Sequence, residues 1–200
     1  PANAQQPPPM QPTGDPVDRA EPELLEIIPA DPRKAYDVRR IIELVSDQGS
    51  VFEKKPTYAR NMVTAFARLN GRPVGFIANQ PRHLAGMLDA KACEKAAHFI
   101  ALCDAYGLPI VILIDVPGFA IGSEAEKSGL GRRSGRLLFE LGQASVPRVS
   151  IVLRKGYGGG YYAMGGGRGF EADGAFAWPT AEICAMSVEG SVDVAYRKDF

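Results

Sequence analysis

Histidine, cysteine and tryptophan are scarce in this chain of 200 residues, at two, three and one, and neither sign of charge is in excess, with Lys+Arg and Asp+Glu at 23 each. Balanced charge leaves no electrostatic footprint for nucleic acid or an anionic membrane surface. The longest purely aliphatic run, Ile110 to Ile114, is closed by Asp115, far short of the roughly 20 apolar residues that a membrane-crossing helix needs. Cys93, Cys103 and Cys184 are odd in number and show no C-x-x-C spacing. They support neither a disulfide framework nor a zinc site, and a reducing compartment is expected. Also missing are G-x-S-x-G, H-E-x-x-H and G-x-x-x-x-G-K-[ST], so a base-driven nucleophile is not expected. His83 and His98 have no Cys or Ser partner in sequence and read as packed or surface histidines.

What is present describes a globular chain: 46% of residues are hydrophobic and 23% charged, enough for about one domain of ordinary size and an extra segment. Nine of the 16 prolines fall in the first 32 residues, a composition that favours extended geometry and buries little. Residues 1–30 therefore read as a proline-rich linker, with a short strand over 24–28, and residues 31–200 as the domain proper. The chain starts at Pro1, has no basic segment followed by an apolar one, and runs to Phe200 out of an apolar stretch. It reads as a piece of a longer protein, cut internally at both ends.

Asp31-Pro32 offers an N-cap followed by proline at the first helical position, and predicts a helix from about Pro32 to Val45. Asn70-Gly71 between two apolar runs predicts a tight hairpin over 62–78. Asp89 can cap a helix reaching about Tyr106. Ile110 to Ile114 reads as a buried parallel strand, followed by a helix over about 128–144 and a second buried strand over 148–153. A last strand pair is expected over 176–186. The pattern is α/β, with buried strands covered on both faces.

Two strand-to-loop junctions remain as chemistry. Ile114-Asp115-Val116-Pro117-Gly118-Phe119 ends one buried strand, where ligands of open α/β sheets gather; a simple tight turn is the alternative. Arg154-Lys155-Gly156-Tyr157-Gly158-Gly159-Gly160-Tyr161-Tyr162-Ala163-Met164 follows the other and opens a helix. Its unpaired N–H groups would face outward at the positive end of a helix dipole, as an anion or oxyanion site. Gly158-x-Gly160-x-x-Ala163 also matches the dinucleotide fingerprint, so a Rossmann module stays open. Against it stand the helix-breaking Gly165-Gly166-Gly167-Arg168-Gly169 and the want of a well-placed acid, Glu182 being nearest. The other reading is an oxyanion hole that stabilises an enolate with two backbone amides.

From about Asp15 onward the chain resembles the C-terminal half of the carboxyltransferase component of biotin-dependent acyl-CoA carboxylases, of the propionyl-CoA carboxylase β type. The resemblance is carried by the segments 21–39, F-A-R-L-N-G-R-P-V-G-F-I-A-N-Q-P at 66–81, A-G-M-L-D at 85–89, D-V-P-G-F at 115–119, V-P-R-V at 146–149, R-K-G-Y-G-G-G-Y at 154–161 and W-P-T-A-E-I at 178–183. It implies a crotonase-like fold of ββα units and transfer of CO2 from carboxybiotin to the α-carbon of an acyl-CoA. Biotin would arrive on a carrier domain of a biotin carboxylase or biotin carboxyl carrier subunit, with acyl-CoA as substrate and no metal. It further implies a homo-oligomer in which an N-terminal half completes the site, no nucleic-acid or membrane partner, and a bacterial cytoplasm in preference to a mitochondrial matrix.

Residue by residue, the resemblance implies that the amides of Gly159 and Gly160 hold the oxyanion left on the biotin ureido group, whose freed nitrogen takes the α-proton. Gly118, Phe119 and Gly158 would border carboxybiotin, and Tyr162 the acyl pocket. Arg33, Lys34, Arg39 and Arg40 are candidates for the CoA phosphates, a solvated basic face being the alternative. Propionyl-type members carry Gly-Ala-Tyr-Asp where this chain has Gly159-Gly160-Tyr161-Tyr162, and I-R-H-G-A-K where it has Gly131-Arg132-Arg133-Ser134-Gly135-Arg136. Two rival functions remain: a crotonase-type hydratase or isomerase using Glu124 or Glu126, and an inactive interaction segment.

Overall fold

The computed structural model describes residues 5–167 and 172–197. Residues 1–4, 168–171, with the Arg168 and Gly169 of the glycine run, and 198–200 lie outside them. The architecture is a mixed α/β sheet whose strands run β1 (Phe52–Glu53), β2 (Met62–Leu69), β3 (Arg72–Asn79), β4 (Ile110–Val116), β5 (Arg148–Tyr157) and β6 (Gly174–Ala177), in chain order from edge to edge. β7 (Glu182–Cys184) continues along the same side of β5 that β6 begins. The first two pairings are antiparallel and the rest parallel. The expected last strand pair is thus two strands, β6 starting at Gly174, that each join β5 rather than each other.

The hairpin between β2 and β3 turns on Asn70 (φ 51°) and Gly71 (φ 75°), the two positive values that a type I′ turn demands. Asp47 braces it: its two carboxylate oxygens accept the Asn70 and Gly71 N–H groups at 2.8 and 2.7 Å. α2 (Ala90–Ala105) follows the hairpin, its first turn capped by the Asp89 carboxylate, which accepts the Ala92 N–H at 2.8 Å. α3 (Ser123–Lys127) and α4 (Leu130–Gln143) then connect β4 to β5.

β4 is buried at every position but the half-buried Val111, because apolar layers press on both faces. One layer packs α2 and α4 through Phe99, Ile100, Leu137 and Leu141 against Ile110, Ile112, Ile114 and Val152. The other packs α1 (Val38–Val45) through Val38, Ile41 and Ile42 against Val63, Phe76, Leu113 and Leu153.

Two expectations near the N-terminal end are corrected. The helix expected from Pro32 starts at Val38, capped by Asp37, whose carboxylate accepts the Arg39 N–H at 3.1 Å. Asp31 closes only a turn, accepting from Arg33 and Lys34. The Lys34 carbonyl is taken instead by the Arg154 guanidinium at 2.8 Å, so it is drawn away from a helical ladder. The strand expected over 24–28 is a 3-10 helix over Pro22–Leu25, because Pro22 has no N–H to give a sheet while Leu24 and Glu26 donate to Glu21 and Glu23 within the turn. Upstream of it the chain lies along the hairpin: the Gln11 N–H reaches the Gly71 carbonyl at 3.1 Å, and Arg68 reaches the Pro9 carbonyl at 2.9 Å.

Candidate active site

β4 and β5 run in register from Ile110↔Arg148 to Ile114↔Val152, after which Val116 faces Gly156. Asp115 therefore stands opposite three residues, 153–155, and the surplus backbone needs new partners. Asp115 supplies one, its Oδ1 accepting the Lys155 N–H at 3.1 Å while its own N–H donates to Asn79 Oδ1 at 3.2 Å. Its other oxygen pairs with Arg154 at 3.1 Å, and both side chains are buried, Asp115 at 1% exposure and Arg154 at 7%. Arg154 also lies over the Tyr36 ring, 5.1 Å from its centre.

Beyond this bulge the two strand ends meet. β5 passes into α5 (Gly158–Ala163), with Tyr157 at the cap position making no side-chain cap hydrogen bond. The N–H groups of its first turn have no intrahelical acceptors, so they face outward as donors. A β-carbon on Gly160 would lie 3.0 Å from the Gly118 α-carbon and 3.0 Å from Val116 Cγ2, and one on Gly159 would lie 3.4 Å from the Phe119 ring. Gly118 takes φ 140°, a region open in practice to glycine alone. Its turn is fastened by Leu88, which donates to the Gly118 carbonyl at 3.0 Å and accepts from Ala120 at 2.8 Å.

Gly158, at φ 53°, sits where a β-carbon would come 2.9 Å from the Ala185 carbonyl oxygen, so the residue after β7 closes the other flank. Gly118, Phe119, Gly158, Gly159 and Gly160 are thus brought to one place.

The remaining candidates fall elsewhere. Tyr162 is 52% exposed on the outer side of α5, tilted against Tyr161, and the Tyr161 ring packs over Gly156 and Gly166. Arg39 is held by Glu53 at 2.7 and 3.0 Å, and Arg40 by Glu23 and Glu43, so both guanidinium groups are engaged with carboxylates. Arg33 and Lys34 lie in the turn before α1, beside β5, where Lys155 Nζ approaches the Pro32 carbonyl at 3.5 Å. Glu124 is 87% exposed and paired with Lys127 at 2.9 Å, unlike a carboxylate desolvated for proton transfer. The dinucleotide reading does not fit either, because α5 ends at Ala163 after six residues and Gly165 turns back at φ 73°.

Burial, then the hydrogen bond to Glu182, raises the Tyr157 phenol. Burial, then the Asp115 charge, raises Tyr36. Both stay neutral hydroxyls at physiological pH. Among the described residues no three His, Cys, Asp or Glu side chains gather to hold a metal ion, and no helix is long and apolar enough to cross a membrane.

The Asp115–Arg154 pair is the feature that sequence reasoning passed over. Its signal was available: an acid ends one buried apolar strand and a base ends the next, and two such ends lie side by side in a parallel sheet.

This is a crotonase-like α/β fold with a glycine-lined junction at the strand ends, and comparison with known proteins gives the family. The carboxyl transferase domain matches residues 1–200; the chain belongs to that family. It is 48% identical over 177 residues to the methylmalonyl-CoA carboxyltransferase 12S subunit of Propionibacterium freudenreichii subsp. shermanii, covering 88% of this chain and 34% of that one. It is 41% identical over 199 residues to the propionyl-CoA carboxylase beta chain of Roseobacter denitrificans, covering 100% and 39%. A hexameric 12S transcarboxylase solved with methylmalonyl-coenzyme A and methylmalonic acid bound superposes with a TM-score of 0.93 at 43% identity, over 98% of this chain and 37% of that one. The chain thus spans under two-fifths of the length of these relatives.

Proposed function

We propose that this chain is the C-terminal half of a carboxyltransferase that moves CO2 from carboxybiotin to the α-carbon of an acyl-CoA. The observation that carries the reading is the close approach of Gly118 to Gly160, which sets a cradle without side chains beside two outward N–H groups. A flat ureido ring suits such a cradle, whose two walls meet in close contact where Gly160 lies on Gly118. When bound, carboxybiotin supplies the CO2 and, on its release, a nitrogen able to take the α-proton, so this chain need provide no side-chain base.

The work left to this chain is binding and charge stabilisation. The Gly159 and Gly160 amides hold the oxyanion as charge develops, donors fixed in advance and therefore effective. Gly118, Phe119 and Gly158 border the ureido ring, and Tyr162 shapes the acyl side. Among the described residues no carboxylate engages the Arg33 and Lys34 side chains, which leaves them for CoA phosphates, whereas Arg39 and Arg40 would have to leave carboxylates to reach them. Residues 1–30 serve as the segment joining this half, residues 31–200, to an N-terminal half. Ile121, 92% exposed beside Phe119, and Tyr162 at 52% are surfaces for that half to cover, within a homo-oligomer served by a biotin-bearing carrier subunit. A reducing cytoplasm suits three unpaired thiols.

The test is the reverse half-reaction of the complete polypeptide: loss of carboxyl from methylmalonyl-CoA or malonyl-CoA with and without free biotin. Biotin-dependent loss is expected. Gly160→Pro, which removes one donor, is expected to lower its kcat by about 10²–10³. Loss without biotin dependence, or an unaffected Gly160→Pro enzyme, would refute the assignment.

A further inference from the structure

The cradle is made from two separate strand ends, and among the described residues no hydrogen bond ties the first turn of α5 to the Gly118 turn: what lies between them is packing, of Gly160 on Gly118 and Val116 and of Gly159 on Phe119. Their relative position is set lower down, by the strand ladder that resumes at Val116 and Gly156 and by the side chains that span the bulge before it. Asp115 stands three residues before Gly118, and Arg154 four before Gly158. Between them runs the pair whose Nη2···Oδ2 separation is 3.1 Å, with Arg154 Nε on the same oxygen at 3.2 Å. Asp115 Oδ1 holds the Lys155 N–H at 3.1 Å, and Arg154 Nη1 holds the Lys34 carbonyl at 2.8 Å. Gly86 packs on the Asp115 carbonyl, where a β-carbon would come within 2.5 Å.

A buried ion pair is a poor stabiliser, because desolvation consumes most of its attraction. It is, however, a directional clamp. The planar guanidinium engages Asp115, the Lys34 carbonyl and the Tyr36 ring at once, a geometry that an apolar pair of equal volume cannot reproduce.

We infer that Arg154 and Asp115 are positioning residues for carboxyl transfer: their pair fixes the offset of β5 against β4, and with it the distance between the Gly118 turn and the Gly159–Gly160 amides. The inference rests on the function proposed above. It assigns to the pair no contact with substrate. Sliding β5 by a fraction of an ångström would leave acyl-CoA binding intact while misdirecting the amides that act only as charge develops, so the loss belongs in kcat.

The experiment uses the complete polypeptide carrying Asp115→Leu with Arg154→Met, alongside Asp115→Asn and Arg154→Lys. It reads melting temperature, kcat and KM for methylmalonyl-CoA decarboxylation with free biotin, and amide hydrogen exchange. The apolar double variant, which also leaves the Lys155 N–H and the Lys34 carbonyl unmet, is expected to melt only modestly below wild type, yet to lose at least tenfold in kcat with KM unchanged. Its exchange should quicken only in 117–122 and 156–163. Arg154→Lys, which keeps the charge, should recover part of that kcat. Return of kcat along with the melting temperature in the double variant would make the pair merely structural and overturn the inference, as would unchanged kcat in both single variants. Should the double variant not fold, Asp115→Asn, which keeps the volume and an acceptor for Lys155, decides by the same two readouts. A wild-type enzyme without biotin-dependent transfer would instead refute the proposed function and the inference together. An active wild type with indifferent pair variants refutes the inference alone.

Discussion

Gly75 in β3 and Cys103 in α2 compete for one space: a β-carbon on the glycine would lie 2.5 Å from Cys103 Sγ and 3.0 Å from Phe99 Cε1. Both cysteine and phenylalanine belong to the buried layer under α2, so neither can swing into solvent. Gly75→Ala is expected to destabilise by about 1–3 kcal/mol through overpacking. Adding Cys103→Ala should return part of that loss, read as a coupling energy in a urea-unfolding double-mutant cycle. Strict additivity of the two changes would show that they do not share the space.

Lys95 is 2% exposed, and its ammonium donates to the carbonyls of Met62, Tyr58 and Lys55 at 2.7, 2.8 and 2.9 Å. It gathers the loop between β1 and β2, where Lys55 and Ala59 hold φ of 54° and 44°. Lys95→Met keeps the stem and removes the donor. With about 1–3 kcal/mol at stake for each buried acceptor left unmet, it should lower stability by at least about 2 kcal/mol. Exchange in residues 54–61 should quicken beyond the average of the sheet. A variant of wild-type stability would mean that the loop finds other donors.

Asp37 links the start of α1 to the end of β3. Burial acts to raise its carboxyl, but the Gln80 amide at 2.6 Å, the Arg39 N–H and the Arg39 and Arg82 guanidinium groups prevail and hold it below the ordinary 3.8. A carboxylate lowered on folding contributes stability that is complete above its unfolded pKa and is lost as pH falls through the folded one. Asp37→Asn retains a capping side chain while removing the charge. The melting-temperature gap between wild type and Asp37→Asn should be widest at neutral pH and should narrow as pH drops below 3.8. A gap that stays constant would assign the effect to hydrogen bonding alone.

The three thiols differ in reactivity. Cys93 and Cys103 are fully buried, which pushes each up to about 12. The half-buried Cys184 is lowered, first by Ser191 at 3.3 Å and then by the Met186 N–H. Because the thiolate is the nucleophile, iodoacetamide on native protein at pH 8 should carry label to Cys184 well before the other two. Ser191→Ala should slow that labelling, as mass spectrometry of peptides would read. Equal labelling of all three would require the α2 layer to open.

Much of this fold was legible because its signals are local. Asn70-Gly71 demanded its turn, Asp89 its helix, and the apolar run from Ile110 its place in the middle of the sheet. The convergence of Gly118 and Phe119 with Gly159 and Gly160 was legible only through resemblance to a family, since residues 40 positions apart carry no mutual periodicity. The reading failed where a distant side chain overrode a local preference. Asp31-Pro32 is a sound helix start by itself, but Arg154, 120 residues downstream, takes the Lys34 carbonyl. Likewise Leu24 to Ile28 is apolar enough for a strand, yet its backbone coils on itself, Leu24, Glu26 and Ile27 donating to the carbonyls of Glu21 and Glu23.

The order of the sheet bears on how the chain is made. Each of β2 to β6 pairs with the strand that precedes it in sequence, so each of these strands, on leaving the ribosome, meets an edge already built. The β2–β3 hairpin needs only its two-residue turn to form, and the costlier parallel pairings are added to it one at a time. Asp115 would then be in place, its carboxylate awaiting a partner, before Arg154 is synthesised. Until β5 arrives, the edge of β4 is the open flank of the nascent chain, and the one a chaperone would be expected to shield.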